Sequence, residues 1–183
     1  LVQQFKKYVW GLIEYYTPAI YHCARGLLSK VDALQTSFLR KLDLSESQAF
    51  LEFNMAPLSN RRTIGLLGFL HKRMLCIAHP KFSSLFPFAP WRVSEINGRP
   101  RHNKQLHNHH SSILFRESLW RRSIYGLIFT YNRLPQYVVD LDNISEFQTA
   151  LTHQVRTRHE LGNIDWRKLL DPDHNCILED RYR

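Results

Sequence analysis

Across residues 80–112 the chain loses the helical spacing of apolar residues that runs through its first 79 positions, and that break limits what it can fold into. The stretch begins aromatic and proline-punctuated, then turns polar, basic and histidine-rich, with Asn97, Gly98, Arg99 and Pro100 forming a strong turn signal. It shows neither helical nor strand alternation, so a long loop or linker is expected. Loops of this length inside compact domains are usually functional or disordered. Apolar content returns on the far side. The fold class this predicts is mainly α: an irregular helical bundle over 1–79, a long basic His-rich loop over 80–112, a smaller C-terminal helical unit over 113–160, and a polar tail over 161–183.

Within the first part, apolar side chains run almost continuously from Leu1 to Tyr16, predicting a helix that enters a core and stops before Pro18. After Ser29, an amphipathic stripe of Val31, Leu34, Phe38, Leu39 and Leu42 predicts a second helix, with Lys30, Arg40 and Lys41 largely off it. Ser45 and Gln48 stand at capping-box spacing before Ala49, Phe50, Leu51 and Phe53. Arg61 and Arg62 open a further helix carrying Ile64, Leu67, Leu70, Met74 and Leu75. Gly65 and Gly68 each weaken it by up to ~1 kcal/mol unless close packing needs them. Past the loop, Leu134 and Pro135 mark a turn, Tyr137 to Val139 a short extended segment, and Ser145 the start of a last helix.

The chain has 183 residues, 44% of them hydrophobic, which is ample for a core and argues against global disorder. A net charge of +9 points to a polyanionic partner, nucleic acid ahead of an acidic membrane surface. No run approaches the ~18 apolar residues a membrane span requires. Glu14 interrupts the early apolar run, and no small-residue cleavage site follows it. The expectation is a soluble protein of the nucleus or cytoplasm, not secreted and not in a membrane. Cys23, Cys76 and Cys176, odd in number and far apart, fit a reducing compartment. With Leu1 rather than Met in first place, a fragment or incomplete reading frame is expected.

Catalytic chemistry has no pattern to rest on. His71, Cys76 and His79 fall within nine residues, and His107, His109 and His110 cluster further on, but structural zinc wants four ligands, usually as two close pairs. No Cys–x–x–Cys exists, so Cys76 reads as a small core residue and the loop histidines as solvated. Asp140 with Asp142, beside a turn, and Asp171 with Asp173, flanking Pro172, lack the buried strand setting of a two-metal site. Neither a phosphate-cradling Gly loop nor a nucleophile motif is present. The segment therefore carries no catalytic motif, metal site or cofactor of its own. Nucleic-acid contact is the better-supported chemistry. Arg61, Arg62, Lys72, Arg73, Arg99, Arg101, Arg121 and Arg122 are expected to hold phosphates, with Arg92, Lys104, Arg116 and Arg133 adding to the charge. Trp91 and Tyr125 could stack on unpaired bases, whereas Trp120 and Tyr131 are expected in the core.

Four segments stand in a telling order. Tyr8, Val9, Trp10, Gly11, Leu12, Ile13, Glu14 and Tyr15 precede Pro18, Ile20 and Tyr21. Residues 30–40 follow, with Val31, Leu34, Gln35, Phe38, Leu39 and Arg40. Then come Pro57 and Leu58 with Arg61, Arg62, Leu66 and Leu67. Last, Ser118, Leu119, Trp120, Arg121, Arg122 and Ser123 lead to Tyr131, Asn132, Arg133, Leu134 and Pro135, and on to Ser145, Glu146 and Phe147. Together these resemble the region after the polymerase in non-LTR retrotransposon reverse transcriptase proteins, with Gly11 in place of a customary proline and Tyr21 in place of a tryptophan.

The resemblance implies a thumb-like character for 1–79 and a role as the non-catalytic, C-terminal accessory segment of an RNA-directed DNA polymerase. It implies RNA template and target DNA as partners, together with the fingers and palm upstream in the same polyprotein, where the divalent metal would reside. Some members carry a Cys–Cys–His–Cys zinc knuckle near this end, and this sequence has none. Two other readings remain open: a small basic structural or interaction protein, and a degenerate, non-functional relic of the element.

Overall fold

The N-terminal apolar run winds into one helical rod made of α1 (Val2–Gln4), a π-helical segment (Phe5–Trp10) and α2 (Gly11–Ile20). In this computed structural model, which describes residues 1–89, 95–96, 99–107 and 117–172, the rod does not stop before Pro18. The proline falls in the last turn, where its missing N–H costs one helical hydrogen bond, to the Glu14 carbonyl. Thr17 adds a bond of its own, its hydroxyl donating to the Ile13 carbonyl at 2.9 Å.

Helix α3 (Arg25–Lys41) starts before Ser29, and α4 (Glu46–Phe53) opens on the expected capping box. There the Gln48 N–H donates to the Ser45 hydroxyl at 3.1 Å and the Ser45 N–H donates to Gln48 Oε1 at 3.0 Å. Helix α5 (Leu58–Met74) begins just ahead of Arg61 and packs against α2, α3, α8 (Gly126–Tyr131) and α10 (Ile144–Glu160). Among the described residues, helices dominate, and no helix is long and apolar enough to cross a membrane.

Two hydrophobic clusters form. The smaller joins the rod to α3 and the α4–α5 connection through Phe5, Trp10, Ile13, Leu39, Ala49, Met55 and Leu58. Buried Gln35 ties its parts together: Trp10 Nε1–H donates to Gln35 Oε1 at 2.9 Å, and Gln35 Nε2–H donates to the Ala56 carbonyl at 3.2 Å. The larger cluster runs from Phe50 to Leu170 and centres on α5, α8, α9 (Gln136–Val139) and α10.

The stretch 80–112 departs from the expected loop. It holds α6 (Pro80–Leu85), β1 (Glu95–Ile96) antiparallel to β2 (Arg99–Pro100), and a bridge between Phe88 and Leu106. Phe86 and Leu106 belong to the larger cluster. What replaces regular structure is a side chain. Asn132 Nδ2–H donates to the Leu106 carbonyl at 2.7 Å, and the Leu106 N–H donates to Asn132 Oδ1 at 2.9 Å. One amide thus satisfies both backbone groups, as a neighbouring strand would.

Two further expectations change. Tyr137 to Val139 are helical in α9 rather than extended, with Pro135 as its N-cap, because burial of Val138 and Val139 outweighs their strand preference. The polar tail is core in its first part: Trp166, Leu169 and Leu170 join the larger cluster, and Trp166 stacks on Phe50 at 5.4 Å. Residues 173–183 lie outside the described chain. Tyr131 is fully buried as expected, while Trp120 is half-buried and stacks on Tyr125 at 4.2 Å.

Candidate nucleic-acid interface

The eight cations singled out by the sequence do not make one surface. Arg61 lies 3.8 Å over the Trp10 ring and pairs with Glu14, holding α5 against the rod. Arg62 is only 4% exposed and forks onto both Asp32 oxygens, at 2.5 and 3.0 Å, joining α5 to α3. A guanidinium so enclosed is costly to unpair, so its first role is structural. Arg73 donates from Nε to the Phe86 carbonyl at 2.9 Å and stacks 3.8 Å over Phe88. Lys72 sits 5.3 Å over Phe69. Arg101 is partly buried, its Nε without a hydrogen-bond partner. Arg99 is placed by its backbone in β2, and its side chain, like Trp91, Arg92 and Arg116, lies outside the described residues.

Arg121 and Arg122 are different. They follow Trp120 at the end of α7 (Glu117–Arg121), where the chain turns sharply. Ser123 donates its hydroxyl to the Trp120 carbonyl at 2.7 Å. Gly126 lies so close to the Arg121 backbone that a Cβ there would collide with the Arg121 carbonyl. This turn brings Arg121 and Arg122 to a groove of about 270 Å³ that Arg62 also lines. Arg25, at the start of α3, and Arg167, in the 3-10 turn Trp166–Lys168, complete it. Five arginines and two carboxylates, Asp32 and Asp171, therefore line the groove. Arg167 also pairs with Glu46 at 2.7 Å, but a guanidinium has five N–H donors, and one carboxylate takes at most two.

Two local features add to the charge. The first turn of α3 borders the groove, and no side chain caps it, so its positive end contributes to the same field. On the groove lining, Asn60 is 2% exposed; its Nδ2–H donates to the Arg167 carbonyl at 3.0 Å, while Oδ1 has no hydrogen-bond partner. An unmet buried acceptor costs about 1–3 kcal/mol.

Sequence reasoning missed Arg25 and Arg167. Arg25 carried a usable signal, because a cation in the first turn opposes the helix dipole and is better tolerated beside an anion. Reading that signal required placing the start of α3 at Arg25. Arg167 lay in the presumed tail and carried none.

A larger groove of about 600 Å³ lies between α2, α5 and α10 and is lined by two arginines, Arg61 paired with Glu14 and Arg156 paired with Glu160 at 2.9 Å. The histidines suit structure rather than proton transfer. His71 is fully buried: its Nε2–H donates to the Leu141 carbonyl at 2.6 Å, which leaves Nδ1 to accept the Tyr131 hydroxyl at 2.8 Å. Burial holds its pKa below the usual imidazole value, with the Leu141 bond opposing. His102 Nε2–H donates to the Tyr131 carbonyl at 3.0 Å, and burial lowers its pKa too. Burial pushes the Tyr131 phenol up. Among the described residues no three His, Cys, Asp or Glu side chains converge as a metal site.

Cys76 corrects another expectation. It is exposed rather than core, just past α5 with φ +59°, where its N–H donates to the Arg73 carbonyl. Of the loop histidines, His107 is half-buried, while His109 and His110 lie outside the described residues. Compared with known proteins, the chain matches no family model, no curated protein and no solved structure.

Proposed function

We propose that this chain is the non-catalytic C-terminal accessory segment of an RNA-directed DNA polymerase of a non-LTR retrotransposon, supporting contacts to RNA template and target DNA. The observation that carries the reading is the arginine groove. The Trp-Arg-Arg-Ser segment of the resemblance delivers Arg121 and Arg122 to a surface already occupied by Arg25, Arg62 and Arg167. Downstream of that segment the residues of the resemblance are largely interior: Tyr131, Leu134 and Phe147 are buried, and Asn132 holds the Leu106 backbone. Such a pattern suits a scaffold that presents cations and leaves the chemistry to another part of the protein.

In this reading the upstream fingers and palm supply the metal-dependent reaction, in the nucleus or the cytoplasm. The outward apolar side chains of the rod, Tyr8, Leu12, Tyr15 and Tyr16, suit packing against that body. Guanidinium groups hold phosphates by charge-assisted bonds and displace counterions, so binding weakens as salt rises. The test is fluorescence anisotropy of a labelled single-stranded RNA across a salt series. Arg121→Ala with Arg122→Ala is expected to weaken binding and flatten the log–log salt slope by about one to two, at ~0.7 per phosphate released. An unchanged slope would rule the groove out. Failure of the unaltered chain to bind at all would favour a small basic interaction protein or a relic.

A further inference from the structure

Resting on the nucleic-acid reading above, we propose that the groove between α3, α5, α7 and the Trp166–Lys168 turn receives one unpaired nucleotide of a single strand. Its phosphate lies among Arg25, Arg121, Arg122 and Arg167, and its sugar and base lie against Tyr21, Leu28 and Pro172.

Size and shape are the first grounds. At about 270 Å³ the groove is at the small end for ligand sites, enough for one nucleotide unit and not for a stack of base pairs. It is also concave, whereas a duplex presents its phosphates on a convex surface with the bases turned inward. Only an unpaired nucleotide can enter phosphate and base together.

The donor set is the second ground. Arginine forks, the hydroxyls of Ser59 and Thr63 and the positive end of α3 all suit an anion. Asn60 Oδ1 does not. It is a buried acceptor without a partner, and it calls for a donor. A phosphodiester has no donor to offer, but a sugar hydroxyl or a base amino group does. Dimethyl phosphate, a diester with no donor, would therefore satisfy the arginines and leave Asn60 unmet, while a nucleotide satisfies both.

The experiment titrates the full chain calorimetrically with the methyl diester of a nucleoside 5′-monophosphate and with dimethyl phosphate, equal in charge, and measures binding of a 12-mer RNA as single strand and as duplex. The nucleotide is expected to bind about tenfold tighter than dimethyl phosphate, and the single strand about tenfold tighter than the duplex. Asn60→Leu should bring the nucleotide down to the level of dimethyl phosphate. Because Asn60 also bonds the Arg167 carbonyl, Arg25→Ala serves as a second variant, lowering both ligands.

Equal affinity for nucleotide and dimethyl phosphate, or for strand and duplex, overturns this inference. If Arg121→Ala with Arg122→Ala still flattens the salt slope in that case, the accessory-segment reading stands. Absence of strand binding by the unaltered chain overturns both.

Discussion

The cluster that runs from Phe50 to Leu170 and the one that joins the rod to α3 use similar contacts but enclose their apolar side chains to different degrees. In the larger, rings stack closely, His71 on Phe147 at 4.0 Å and Phe50 on Trp166 at 5.4 Å. Side chains also bond the backbone of irregular segments there: Asn132 to Leu106, His102 to Tyr131 and His71 to Leu141. The smaller has the same devices, Phe5 stacking on Phe38 at 4.1 Å and Gln35 bonding the Ala56 carbonyl, but the rod leaves much of its apolar surface outside. Tyr8 is 65% exposed and Tyr15 77%. Aperiodic sequence can thus be core when side chains supply the missing hydrogen-bond partners. Periodic apolar sequence, in turn, need not be inside.

Truncating one aromatic in each cluster tests that contrast most severely. Phe50→Ala is expected to cost about 3–5 kcal/mol in denaturant unfolding, since the ring is fully buried and stacked on Trp166. Phe5→Ala, at the edge of the smaller cluster, should cost visibly less. Equal losses would erase the distinction.

Asn132→Ala sharpens it at a single amide. It strands the buried N–H and carbonyl of Leu106 and should cost about 1–3 kcal/mol. Hydrogen exchange at Leu106 should then rise well before exchange in α3. Uniform protection in the variant would mean that the Asn132 clamp is not what orders the segment.

The smallest expected effect is a pH dependence confined to the larger cluster. His71 and His102 have pKa values lowered by burial, so the folded state binds fewer protons than the unfolded chain. Their neutral forms contribute stability in full above the unfolded value near 6.5. That contribution is lost as pH falls below it toward the depressed folded values. Unfolding at about pH 7.5 and about pH 5.5, on either side of the ordinary imidazole value, should show the decline, and His71→Gln should reduce it. Stability that is flat over that window would count against buried neutral imidazoles.

Much of the fold was legible where it depends on near neighbours. The capping box at Ser45 and Gln48, and the stripe of Ile64, Leu67 and Leu70, are local patterns with local causes. The helix through Pro18, the helix at Gln136–Val139 and the burial of Leu106 were not legible, because each is decided by what packs against it from elsewhere in the chain. The candidate site divided the same way. Arg121 and Arg122 were named from the sequence, whereas Arg25 and Arg167 emerged only when α3 and the Trp166–Lys168 turn met at one groove.

By itself, the sequence determined the helical class and the surplus of positive charge, since composition and short-range spacing are enough to set both. Only the tertiary structure decided which arginines hold the fold together and which converge. Arg62 is bound into Asp32 and Arg61 onto Trp10 and Glu14, while Arg25, Arg121, Arg122 and Arg167 come from segments spread over most of the chain. No local period encodes that meeting, because it follows from how α5 packs against both α3 and α8, the helix that α7 adjoins.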